Sequence, residues 1–137
     1  MNMLLHFHIV GVLLIILAIV NLFVPSRFNW REELARVSLL NRQIFIVHDI
    51  FIILILLLFA LLLLLYGEAL LDRTPLARAI LAGLSVFWVM RMLMQWFFYS
   101  PQIWRGHRFN TVMHLVFSAL WIYFATTFVI ALCRNVG

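Results

Sequence analysis

Three clusters of side chains could do chemistry within otherwise apolar runs of this sequence. His48 and Asp49 stand side by side in IFIVHDIFIIL, residues 44–54. Arg91, Gln95 and Tyr99 recur at i, i+4 and i+8, so they share one helical face. His107, Asn110, His114 and Ser118 form a comparable stripe further on. Neutral imidazoles ligate metals, and a guanidinium holds carboxylates and phosphates through its planar fork of donors. An ionisable group is expensive in hydrocarbon, so each of these positions asks for a partner or a ligand.

The elements that must position them are membrane helices. Of the 137 residues 66% are hydrophobic and only 11% charged, with a mean hydropathy of +1.11, far from the one-quarter charged of a soluble domain. Four segments reach the roughly 20 apolar residues that a bilayer core requires: about 3–24, 43–66, 77–99 and 109–132. The fold expected is all-α, one integral membrane domain over 1–137, a four-helix up-down-up-down bundle. Pro25 and Gly67 follow the first two spans, Thr74-Pro75 supplies a cap and an N1 proline for the third, and Ser100-Pro101 closes it. Gly106 lets the chain turn back into the fourth. Asn29 with Glu32 resembles a capping box, and Trp30, Leu34 and Val37 fall on one face, so a short interfacial helix is expected between spans one and two. The N-terminus lacks Lys or Arg before its apolar stretch, so residues 3–24 read as a retained span and not as a cleaved signal.

All ten basic residues are arginine, and their distribution is a topology signal, not a nucleic-acid footprint. Arg27, Arg31, Arg36, Arg42, Arg105 and Arg108 fall on one side, against Arg73, Arg78 and Arg134 on the other. The arginine-rich loops are therefore expected in the cytoplasm of a bacterium, with the chain in its inner membrane and both termini outside. At 1.5 Å per residue, His48, Arg91 and His114 then lie about 10–12 Å in from the cytoplasmic ends of their spans, and Asn21 approaches the same layer from the first. Asp49 or a neighbouring carbonyl is the expected partner of Arg91.

Two histidines at equal depth on diagonal helices suit bis-imidazole ligation of one haem b, with Arg91 available to a propionate and Gln95 and Asn110 beside it. This arrangement resembles cytochrome b-type membrane bundles, in which the second and fourth helices supply the ligands. It implies membrane electron transfer, with His48 and His114 as the metal ligands. The positions where a second histidine pair would fall are Leu61, Leu62, Thr127 and Phe128, so one haem is expected and not two. Glycines that could make room for a macrocycle, Gly11 and Gly83, lie in the outer half.

The stretch RMLMQWFFYSPQIWR, residues 91–105, places an arginine, a tyrosine and an arginine at intervals of about seven. With the length, four spans and external termini, it resembles the superfamily of membrane-associated proteins in eicosanoid and glutathione metabolism. That resemblance implies a glutathione- or lipid-handling enzyme with Arg91 and Tyr99 as its catalytic residues. NRQIFIVHD, residues 41–49, keeps one arginine and one acid of that family's second-span pattern at shifted spacing. A third reading makes the layer a purely structural network in an accessory subunit, partnered by the bilayer, other membrane subunits or a second copy. Met90, Met92 and Met94 do not make a copper site, because Met92 leaves the face shared by the other two. Trp88, Trp96, Trp104, Trp121 and Tyr66 read as interfacial anchors and bundle filler. The single cysteine, Cys133, excludes an intrachain disulfide and reads as a small packing residue.

Overall fold

A computed structural model describes residues 2–27, 29–99, 101–103 and 105–137, the side chains of Ser26, Arg27 and Pro101 excepted. Ser100 and Trp104, expected as a span terminus and an interfacial anchor, lie outside the described residues, as does the side chain of Arg27. The described residues form five α-helices and one 3-10 turn, and no strand. The helices are α1 (Met3–Arg27), α2 (Trp30–Leu34), α3 (Leu39–Leu71), α4 (Pro75–Phe97) and α5 (Arg108–Val136), with the turn at Pro101–Ile103. All but α2 are long and apolar enough to cross a membrane.

The chain forms two compact units. One comprises Leu5–Gly67 and holds most of α1, all of α2 and α3 up to Gly67. Phe7, Val10, Leu14 and Leu17 on α1 are buried at helical spacing, as are Leu56, Ala60 and Leu63 on α3. The two helices approach closely where α1 has no side chain. A Cβ added to Gly11 would lie 2.8 Å from Leu64 Cγ, so the room left by this glycine belongs to Leu64 and not to a ligand. Pro25, expected just beyond the first span, sits in the last turns of α1, and the helix runs on to Arg27. The capping box is not formed. Asn29 adopts the left-handed region (φ 56°, ψ 42°), its side chain caps nothing, and its carbonyl accepts from Glu32 and Glu33. A left-handed backbone points the Asn29 side chain away from the first free N–H groups. The interfacial helix is thus five residues long, and Val37 lies beyond it. Trp30 packs edge-on against Phe45 of α3, ring centres 4.8 Å apart.

The other unit comprises Glu68–Gly137 with the N-terminal residues up to Leu4. The boundary falls at a break in α3, where Tyr66 leaves helical geometry (φ −120°, ψ 20°) beside Gly67. Helical turns resume to Leu71, further than Gly67 led one to expect. Thr74 caps α4 through its hydroxyl, which accepts from the Ala77 N–H at 3.1 Å, and Pro75 occupies the first helical position. Gly106, at φ 76°, makes the turn into α5, a conformation in which only glycine is unstrained. Asn110 Nδ2 donates to the Ile103 carbonyl at 2.9 Å and ties the start of α5 to that connection.

Helices α4 and α5 form an antiparallel hairpin. Its contacts run Arg78 to Asn135, Trp88 to Trp121 and Gln95 to His114, the numbers rising on one helix as they fall on the other. The middle is aromatic. Trp88, 1% exposed, stacks on Trp121 at 5.4 Å and meets Phe124 edge-on at 4.9 Å. Both ends are polar, and these three layers hold the site.

Candidate functional site

The site is built on α4 and α5 around Gln95, which is 6% exposed. An amide buried so far must find partners for both its ends, since an unpaired buried polar group costs about 1–3 kcal/mol. Gln95 Oε1 accepts from Trp121 Nε1 at 3.2 Å and from Arg91 Nη1 at 3.5 Å. Gln95 Nε2 faces His114 Nδ1 at 2.9 Å. The amide orientation follows from these neighbours: reversed, its NH2 would confront two obligate donors. Gln95 Nε2 therefore donates, and His114 Nδ1 accepts. The imidazole is then neutral, with its proton on Nε2.

Arg91, half-buried, lies with its guanidinium carbon 4.8 Å from the centre of the Trp121 ring, a cation–π contact. Trp121 thus holds Arg91 by its face and Gln95 by its N–H. Trp96 Nε1 donates to Ser118 Oγ at 3.2 Å one turn further along the same interface. At the other end of the hairpin Arg78 Nε donates to Asn135 Oδ1 at 3.2 Å, and Asn135 Nδ2 to the Asp72 carbonyl at 2.9 Å.

The charge balance of the hairpin is one-sided. Residues 74–137 contain no Asp or Glu and five arginines: Arg78, Arg91, Arg105, Arg108 and Arg134. Arg91 therefore has no Asp or Glu in its own hairpin, and the groups it meets there, the Gln95 amide oxygen and the Trp121 ring face, carry no charge to neutralise it.

Of the residues singled out from sequence, the hairpin brings Arg91, Gln95 and His114 together. Tyr99 is exposed and packs edge-on to Phe98 at 6.0 Å, off the end of α4. Asn110 serves the interhelical connection and His107 occupies the N-cap position of α5. Asn21 Nδ2 donates back to the Leu17 carbonyl of its own helix at 2.8 Å. Met90 and Met94 are exposed, and so is Cys133, which is therefore not a packing residue. His48 and Asp49 stand on α3 in the other unit. His48 is exposed and Asp49 half-exposed, and neither side chain makes a hydrogen bond or ion pair among the described residues.

Sequence reasoning missed Trp121, taking it for an anchor or filler, and Asn135. Both lie on the buried stripe of α5 with Ser118, Phe124, Phe128 and Ala131, and that periodicity was a usable signal. The run of 64 residues without an acid was another.

The donor set does not fit a haem held through His114. Iron needs an imidazole lone pair, and here Nδ1 accepts from Gln95 while Nε2 carries the proton. Exposing the Nε2 lone pair would require Nδ1–H to meet an acceptor. The amide would then have to turn its oxygen from Trp121 and Arg91. Among the described residues no group of three or more His, Cys, Asp or Glu is placed to hold a metal ion. What the arrangement offers is a fixed cation backed by an indole face. No known family model, curated protein or solved structure matches this chain.

Proposed function

We propose that this chain is an integral membrane protein of four spans that binds the anionic head group of an amphiphile through Arg91. Four long apolar helices support insertion, and the arginine bias supports external termini with the Arg91 end of the hairpin toward the cytoplasm of a bacterium. The observation that carries the site is a guanidinium on an apolar helix whose hairpin, residues 74–137, has no Asp or Glu. A charge at that depth requires an opposite charge, and a head group supplies one. The guanidinium fork pairs with a carboxylate or phosphate through two parallel N–H bonds. Gln95 and Trp121 act as positioning residues, holding one edge and one face of Arg91 so that little side-chain entropy remains to be lost on binding.

The test offers phosphatidylglycerol or oleate, in separate samples with equimolar phosphatidylcholine, to purified chain in neutral detergent. Native mass spectrometry then counts the retained molecules. Wild type retains the anionic amphiphile preferentially. Arg91→Gln loses that preference, while Arg78→Gln, whose guanidinium already bonds Asn135, keeps it. Equal retention by wild type and Arg91→Gln overturns the site.

A second reading, helix assembly in an accessory subunit, is favoured by the engagement of both ends of the Gln95 amide within the hairpin. It expects no change in retention for Arg91→Gln, so the same measurement separates the two.

A further inference from the structure

Helix α3 carries the other ionisable groups on an apolar surface. Around His48 and Asp49, Ile44, Phe45, Ile46, Val47, Ile50, Phe51 and Ile52 are all between 44% and 61% exposed. His48 is itself exposed, Asp49 is half-exposed, and neither has a hydrogen-bond or ion-pair partner among the described residues. From Gln43 the pair lies about 8–9 Å along the helix axis, inside the apolar stretch. Lipid tails offer neither a donor to the carboxylate nor an acceptor to the imidazole. None of the described residues supplies a partner, which points to one from outside this chain.

We propose that this face of α3 is the interface of a homodimer, in which His48 of each copy donates to the Asp49 carboxylate of the other. The inference rests on the membrane insertion proposed above, and not on the Arg91 site. Its basis is that the face is complementary to itself. Adjacent residues on a helix point about 100° apart, so a seam running between His48 and Asp49 has the donor on one flank and the acceptor on the other. Copies inserted the same way are related by a two-fold axis along the membrane normal, and that operation exchanges the flanks. Donor then meets acceptor twice, and the two side chains differ in depth by only about 1.5 Å. Phe45 and Ile52 fall on the same seam one turn to either side, 44% and 49% exposed, and give it apolar contact. Trp30 of α2 lies edge-on to Phe45 and borders the face.

The full chain is reconstituted into phosphatidylcholine liposomes and labelled with donor and acceptor dyes at Cys133, which is exposed and the only cysteine. Retention in the membrane after carbonate extraction is required first, and its failure rejects insertion, not the interface. Wild type gives energy transfer that falls on dilution with lipid. H48D, with two acidic side chains on the face, and D49H, with two imidazoles, each lose the transfer alone and regain it when mixed. That recovery also shows both variants folded. A second measurement leaves the pair intact. In a Cys133→Ser background, Ile52→Cys cross-links under mild oxidation, whereas Ile50→Cys, 56% exposed but about 150° from the seam, does not. An inserted wild type without energy transfer overturns the interface. So does transfer that survives H48D and D49H, or cross-linking equal at both cysteine positions.

Discussion

The two units treat polar side chains in opposite ways. In the α4–α5 hairpin, Gln95, His114, Trp121, Trp96 and Ser118 join across one interface, and Gln95 is almost wholly buried. On α3, His48 and Asp49 stand on an apolar surface with no partner among the described residues. Both regions put ionisable groups on helices apolar enough to cross a membrane. The difference shows that polarity in such a helix has two uses. Closed within a hairpin it fixes how two helices meet, and left open on a face it specifies what must arrive. Arg91 belongs to both classes, since its geometry is fixed by Gln95 and Trp121 while its charge is unanswered in the hairpin.

Five substitutions, one of them a control, test that contrast. Trp121→Ala has the largest expected effect, because it empties the stack on Trp88 and removes a donor to Gln95 together. Truncating a buried aromatic of this kind costs about 3–5 kcal/mol, measurable by denaturant titration in mild detergent. Phe51→Ala on α3, where the ring is 61% exposed, is the control and shifts the midpoint little. A comparable loss at both positions breaks the comparison. Gln95→Leu comes next. It removes the Gln95 partner of the Trp121 N–H and of His114 Nδ1, at about 2 kcal/mol in the same titration. Thr74→Ala removes one cap bond at the start of α4 and lowers stability by about 1 kcal/mol, with less helicity by circular dichroism. His48→Leu is expected to leave the unfolding midpoint of the detergent-dispersed monomer unchanged. A clear drop there would mean that His48 serves its own unit, and the contrast would fail.

Much of the fold was legible because apolar length is a strong signal. Four windows of some twenty apolar residues are hard to read otherwise; three fell inside long helices, and the third, 77–99, ran two residues past the end of α4 at Phe97. Thr74-Pro75 was legible for a local reason: a hydroxyl before an N1 proline has one favourable arrangement. Asn29 was misread for the complementary reason. The capping-box pattern assumes an extended backbone at the cap, and Asn29 is left-handed. The helix ends beyond Gly67 and Pro25 were also missed, since flanking turns can extend a helix past a single weak breaker.

The candidate site divides along the same line. Spacing alone placed Arg91 and Gln95 on one face of α4, because 3.6 residues per turn leaves no choice. That residues 74–137 offer Arg91 no Asp or Glu also stood in the sequence, a signal passed over in favour of Asp49. Tertiary structure decided which residue crosses to meet them. Trp121 follows His114 by seven residues, and both reach Gln95 because the antiparallel register of α4 and α5 sets them against it. That register depends on Trp88 stacking with Trp121 and on Gly106 turning the chain back. These are contacts between residues far apart in sequence, and helical periodicity carries no information about them. The proton on His114 was decided in the same way: only a neighbouring amide held by two other donors could settle which nitrogen keeps it.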